Sequence, residues 1–258
     1  MAYEKEVQLL IEARNSGKPF DASALGTEGR LSLEDACRIN ERYIEERVKA
    51  GDRVAGFKIG LTNPAVREKL GFPDLMYGYL MDSMVLQNGV TVGIQELIAP
   101  KIECEICMKI KKKIKVKGLT VENVLDATEG VSGAFEICDA RLREGQISYP
   151  HFFADNGFAC RIVLQGVWHP PENVDFPKEE VVLSGGGKEL GRGLGVLAMG
   201  HPAKAVAWLA GKLAERGRGL EPGQVVMTGT LTPILSVEKT ATYKAAFSTL
   251  GEVTVTFA

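Results

Sequence analysis

The ten residues from Lys101 to Ile110 constrain this chain more than any others. Ile102, Cys104, Ile106, Met108 and Ile110 alternate strictly with Glu103, Glu105, Cys107 and Lys109, so a strand there turns an apolar face one way and two carboxylates the other. Strand geometry sets those carboxylates about 6–7 Å apart on one face. Like charges at that spacing repel, and once partly buried they persist only with a cation or a proton between them. A second segment, Gly133-Ala134-Phe135-Glu136-Ile137-Cys138, repeats the pattern, with Glu136 facing away from Phe135 and Ile137. Three carboxylates converging from two such strands would make an oxygen-ligand site for a hard divalent cation. An isolated Glu-x-Glu is more commonly a solvated strand face, so the rest of the chain has to decide.

Composition removes whole classes of answer. At 258 residues, 45% apolar and 25% charged, the chain can bury a sizeable core in one large domain or two small ones. A net charge of -2 gives no general reason to expect nucleic acid or an anionic membrane as partner. No signal-peptide pattern opens the chain, and no apolar run is long enough to cross a bilayer, which sets the expectation of a cytoplasmic protein. Cys37, Cys104, Cys107, Cys138 and Cys160 are scattered and fit reduced thiols in a core better than a disulfide framework. Cys104 and Cys107 have the spacing of half a zinc knuckle, but on a strand they face opposite ways and no second pair follows.

In chain order, Glu4 to Ser16 reads as a helix with Val7, Leu10 and Ile11 inward, stopped by Gly17-Lys18-Pro19. Ser32 N-caps a second helix whose stripe is Leu33, Ala36, Cys37, Ile44 and Val48, ended by Gly51. Arg53 to Leu61 reads as a strand with Ala55, Phe57, Ile59 and Leu61 on one face and Gly56, Lys58 and Gly60 on the other. Lys58 thus projects between two residues without side chains, with room for a ligand beside its ammonium; the plain alternative is an exposed strand lysine. Asn63 to Leu70 is a short helix. Asp82 ends the apolar, aromatic stretch from Met76, where an acid is ordinarily a turn or cap residue.

Lys109 to Lys117 is the only basic run. Its alternating second half suits an exposed edge strand whose lysines discourage edge pairing. Thr120 then caps a helix running up to Gly130. Further strands follow at 158–165, 180–184, 224–230 and 252–258, with one helix opened by Pro202 and ended at Gly217. The glycine clusters at 185–187 and 191–195 lack the strand-turn-helix setting of a dinucleotide fingerprint and any P-loop lysine. His151, His169 and His201 form no ligand spacing, and no nucleophile elbow is present.

Seven segments together carry a resemblance: Gly56-Phe57-Lys58-Ile59-Gly60-Leu61-Thr62, Tyr77-Gly78-Tyr79-Leu80-Met81-Asp82-Ser83-Met84, Pro100-Lys101-Ile102-Glu103-Cys104-Glu105-Ile106, Phe135-Glu136-Ile137-Cys138-Asp139-Ala140-Arg141, Ala154-Asp155-Asn156, Gly200-His201-Pro202 and Ala205-Val206-Ala207-Trp208-Leu209-Ala210. In this order, over nearly the whole chain, they resemble the 2-keto-4-pentenoate hydratase and 4-oxalocrotonate decarboxylase family of the fumarylacetoacetate hydrolase superfamily. The resemblance implies an α+β fold, a mixed β-sandwich roll with outer helices. It would have an N-terminal helical region over 1–52 and a catalytic domain over 53–258, together one compact unit. It also implies magnesium or manganese held by Glu103, Glu105 and Glu136, in agreement with the convergent carboxylates, and a homo-oligomer able to associate with a related decarboxylase or hydratase.

By the same resemblance Lys58 binds the substrate carboxylate or relays a proton, Asp82 orients the attacking water or the lysine, and Asp155 and Thr230 lie near the substrate. The activity implied is divalent-metal-dependent hydration of 2-hydroxypenta-2,4-dienoate to 4-hydroxy-2-oxopentanoate in aromatic catabolism, which Asn63-Pro64-Ala65-Val66 favours. Decarboxylation of 4-oxalocrotonate is the alternative, to which residues 76–80 and 100–103 are more similar. Two readings come from other classes: a noncatalytic partner subunit, and a nucleic-acid binder using the lysine run. The intact acids weigh against the first and the near-neutral charge against the second. The chain also departs from the family. Gly157-Phe158 follow Ala-Asp-Asn where members commonly have Ala-Ser, and residues 144–153 and Glu238 to Thr242 differ too. The pocket wall and the distal end of the substrate therefore stay open.

Overall fold

The computed structural model describes residues 3–26, 30–143, 147–237 and 240–258; the departures at 144–146 and 238–239 lie outside the described residues. Helix α1 (Glu4–Ser16) ends at Gly17, whose left-handed backbone returns its N–H to the Ala13 carbonyl. Helix α2 (Leu33–Lys49) starts where the Ser32 side chain accepts from the Asp35 N–H. Ile39 and Tyr43 of α2 are fully buried and belong to the same continuous core as the sheets.

The strands are β1 (Val54–Gly60), β2 (Met76–Met81), β3 (Val85–Gln87), β4 (Val90–Val92), β5 (Lys101–Ile110), β6 (Thr128–Cys138), β7 (Ala159–Leu164), β8 (Glu180–Gly185), β9 (Lys188–Leu194), β10 (Val225–Thr230), β11 (Leu235–Ser236), β12 (Ala241–Phe247) and β13 (Gly251–Phe257). The larger sheet runs β2-β1-β10-β5-β6-β7-β3, with β11 also on β5; the smaller runs β4-β13-β12-β8-β9. Pairings are antiparallel except β1 with β10, β3 with β7 and β13 with β4. Strands β12 and β13 lie across β6 and β7. There the Phe247 ring rests on Gly133, where any Cβ would come within 2.6 Å of it. The remaining helices, α3 (Pro64–Leu70), α4 (Val121–Asp126), α5 (Tyr149–Ala154) and α6 (Pro202–Glu215), connect or flank the sheets. This is the α+β arrangement of curled mixed sheets with outer helices. No described helix is long and apolar enough to cross a membrane.

Two local expectations change. Residues 111–120 form no strand; a single bridge joins Ile114 to Leu220. Lys112, Lys113 and Lys117 are instead held one by one in exposed ion pairs with Asp126, Glu221 and Glu215, so solvated pairing replaces an edge ladder. The helix capped by Thr120 stops at Asp126 rather than near Gly130, because β6 begins at Thr128 and Gly130 packs under Trp168.

Candidate active site

Strand β5 is buried on both faces, the apolar one and the acidic one: Ile102, Cys104 and Ile106 are fully covered, and so is Glu105, with Glu103 only 8% exposed. The β5–β6 register sets Glu103 directly opposite Glu136 and Glu105 opposite Ala134. Cross-strand partners share a face, so all three acids converge on one side of the sheet. The aligned row Lys58, Met227, Cys107 and Ser132 across β1, β10, β5 and β6 lies on that same side. From it Lys58 reaches inward until its Nζ is 3.2 Å from Glu136 Oε1, with both side chains buried.

Glycines make this approach possible, though not the pair flanking Lys58 in sequence. Gly56 serves the β1–β10 contact, since a Cβ there would lie 1.9 Å from the Val225 carbonyl oxygen. The residues that clear space along the lysine are Gly60 and Gly157, whose added Cβ atoms would sit 3.3 Å from Nζ and 3.2 Å from Cδ. On β10 the register shifts between Met227 and Thr230. In that bulge Gly229, at φ +104, donates its N–H to Glu105 Oε2 at 2.8 Å. Gly229→Ala would bring a Cβ 2.3 Å from Thr62 Oγ1. We expect it to lower stability by roughly 3 kcal/mol in a denaturant titration, from backbone strain and overpacking together.

The cluster opens into a cavity of about 420 Å³. Lys58, Glu103, Cys138 and Thr230 line its polar end, and Val66, Leu70, Phe152, Phe158 and Ile234 its apolar wall. Ligand atoms of Glu103, Glu136 and Cys138 lie within 4.8 Å of one another. Glu136 Oε2 and Glu105 Oε1 are buried with no hydrogen-bond partner, Glu136 Oε1 has only the Lys58 ion pair, and Cys138 Sγ donates to Glu103 Oε1 at 3.5 Å.

Three buried carboxylates against one ammonium leave the cluster short of positive charge. Burial, then the charge of Glu136, pushes Glu103 up to about 7, and burial with the charges of Glu136 and Glu103 raises Glu105 well above the ordinary range. Burial alone would lower the Lys58 pKa, but Glu136 and its neighbours more than reverse this and keep the ammonium charged. Orphaned buried carboxylate oxygens are the donor set that a hard divalent ion completes; Glu103 and Glu136 fit one, while Glu105, on the same face, stands outside the group of ligand atoms that lie within 4.8 Å of one another. Cys138, its thiol held protonated chiefly by burial, fits as a hydrogen-bond donor to Glu103.

A pH dependence follows. Raised carboxylate pKa values mean that the ion-free fold binds more protons than the unfolded chain, so its stability falls as pH rises from the ordinary 4.5 through about 7. A divalent ion, competing with those protons, should raise Tm more at pH 8 than at pH 5.5 in parallel melts.

Residues 62–258 match the fumarylacetoacetate (FAA) hydrolase C-terminal family. The chain belongs to the fumarylacetoacetate hydrolase family. Among its relatives, a 2-keto-4-pentenoate hydratase of Burkholderia vietnamiensis is 35% identical over 96% of this chain and 94% of its own. A 2-hydroxyhexa-2,4-dienoate hydratase of Comamonas testosteroni is 33% identical over 98% and 97%. The 4-oxalocrotonate decarboxylase of Pseudomonas putida G7, solved with magnesium and adipate, superposes with a TM-score of 0.93 at 28% identity, covering 100% of this chain and 99% of that one.

In this member of the fumarylacetoacetate hydrolase family, Lys58, Glu103, Glu105, Glu136 and Thr230 come together, whereas two residues expected beside the substrate do not. Asp82 is at the surface, ion-paired with Arg53 at 2.7 Å, and is not among the residues lining the cavity. We expect Asp82→Ala to keep kcat/KM within about twofold, as for surface substitutions worth under ~0.5 kcal/mol. Asp155 is fully enclosed but committed to Arg141, accepting from its backbone N–H at 2.8 Å and from its Nε. It anchors the chain behind the cavity instead of facing into it. Sequence reasoning gave no role to Cys138, Phe152 or Ile234, and took Gly157 and Phe158 only as a departure from the family; they meet through pairings and loops that no local period encodes.

Proposed function

We propose that this protein is a divalent-cation-dependent hydratase that adds water to a short 2-hydroxy-2,4-dienoate, 2-hydroxypenta-2,4-dienoate being the simplest, and yields the 4-hydroxy-2-oxo acid. The observation that carries this reading is the cross-strand pair Glu103–Glu136 with Lys58 against it at the base of a cavity. The names of the hydratase relatives support it. Glu103 and Glu136, with Glu105 on the same face, would hold the ion, which when bound supplies Lewis-acid charge for the carboxylate and 2-oxygen of a 2-oxo acid.

The chain's own groups do the rest. Lys58 Nζ, charged and buried at the polar end, passes a proton by way of water to C5 of the dienol and is recharged by the proton that leaves the C2 hydroxyl, giving the conjugated 2-oxo-3-enoate. Water then adds at C4 and its proton ends on C3. Thr230 shares the polar end with Glu103, its hydroxyl donating to the Thr232 carbonyl at 3.0 Å. The apolar wall of Val66, Leu70, Phe152 and Phe158 limits bulk water around the carbon chain.

The second reading, decarboxylation of 4-oxalocrotonate, is favoured by the close superposition on the decarboxylase. Chelator-stripped protein reloaded with magnesium separates them. Loss of dienol ultraviolet absorbance without carbon dioxide supports hydration, whereas carbon dioxide release from 4-oxalocrotonate supports decarboxylation. Silence with both substrates would leave a noncatalytic partner subunit as the better account.

A further inference from the structure

Phe158 stands where two cavities meet. The second, also about 420 Å³, extends toward Leu142, Arg143 and Ile147 and shares Lys101, Cys138 and Phe158 with the first. The Phe158 ring lies tilted against Phe152 with centroids 4.4 Å apart, and Phe152 meets Phe72 edge to face at 5.3 Å, so an aromatic row backs the partition.

Its backbone is unusual. Asn156, Gly157 and Phe158 are left-handed in succession, at φ 52, 63 and 59, a region that a bulky side chain such as phenylalanine rarely adopts. The surroundings impose it. The Asn156 side chain accepts from the Tyr79 N–H at 2.7 Å and donates to the Tyr79 carbonyl at 2.8 Å. The Phe158 N–H donates to the Asp155 carbonyl, and the Phe158 carbonyl accepts from the Asp139 N–H, both at 2.8 Å. Gly157 fits only without a Cβ, which would come within 2.6 Å of Met76 Cε. The backbone packed on the Lys58 stem, at Gly157, is therefore followed directly by the ring at the cavity wall, and strain kept there points to a role for the ring.

We propose that Phe158 is a specificity-determining residue, the end wall that admits dienoates with a short distal end and turns away longer chains. The inference rests on the hydratase reading. A longer chain would have to displace a ring whose backbone is held on both sides by the Asp155 and Asp139 hydrogen bonds. A chain passing the partition would instead enter the cavity that carries Arg143.

The test uses magnesium-loaded wild-type protein and the variants Phe158→Gly and Phe158→Asn, both of which suit left-handed backbone, with Tm confirming the fold of each. For wild type, kcat/KM should be highest for the five- and six-carbon 2-hydroxy-2,4-dienoates and fall about tenfold per further methylene. In either folded variant the ratio for eight carbons over five should rise at least about tenfold, and calorimetric affinity for 2-oxooctanoate relative to 2-oxobutanoate should rise in parallel. A ratio that stays put in a folded variant, or a wild type indifferent to chain length, overturns the proposal. Oxalate that fails to bind the loaded wild type sinks the hydratase reading itself. If oxalate binds but no dienoate turns over, the 2-oxo acid affinities still decide the role of Phe158.

Discussion

Replacing Glu103 with glutamine is expected to lower ion-dependent turnover by a thousandfold or more, equivalent to about 4 kcal/mol of lost charge stabilisation, while the fold persists. The substitution keeps the shape and removes one of three like charges from a buried cluster. The ion-free protein should therefore melt no lower than wild type, and the rise in Tm on adding magnesium should disappear. Steady-state kinetics and paired melts with and without chelator check both halves. Unchanged turnover would remove Glu103 from the site.

Lys58→Met should separate chemistry from ion binding. Turnover is expected to fall by about 10²–10⁴, the range for a positioned proton donor, while a divalent ion still binds. Stability should depend on that ion. Without it, Glu136 loses its counter-charge at 3.2 Å and remains buried, a loss of about 3–5 kcal/mol; with it, most of the loss should return. If ion affinity collapses in this variant, Lys58 belongs to the ligand shell.

Much of this was legible in the residues. The strict alternation of 101–110 and of 133–138 gave the two strands that carry the acids, and the alternation of 53–61 put Lys58 on a definite face. That Glu103 meets Glu136, however, is a matter of register between strands joined through residues 111–127, which no local period specifies. Asp82 and Asp155 show the opposite limit. Each stands in a segment that resembles the family, yet an arginine claims each one, Arg53 at the surface and Arg141 in the interior. An acid's partner is chosen by tertiary packing rather than by its neighbours in sequence. The lysine run misled because alternation alone does not supply a strand to pair with, and nearby acids offered its ammonium groups a solvated alternative.

The central claim is one small hard ion gripped by carboxylates from β5 and β6. Its most direct test is calorimetric titration of chelator-stripped protein with manganese near pH 7.5, in two buffers of different ionisation enthalpy. The account predicts one ion per chain, release of protons on binding, and loss of binding in the doubly substituted Glu103→Gln, Glu136→Gln protein. Absence of saturable binding in wild type, or equal binding in the doubly substituted protein, would contradict it.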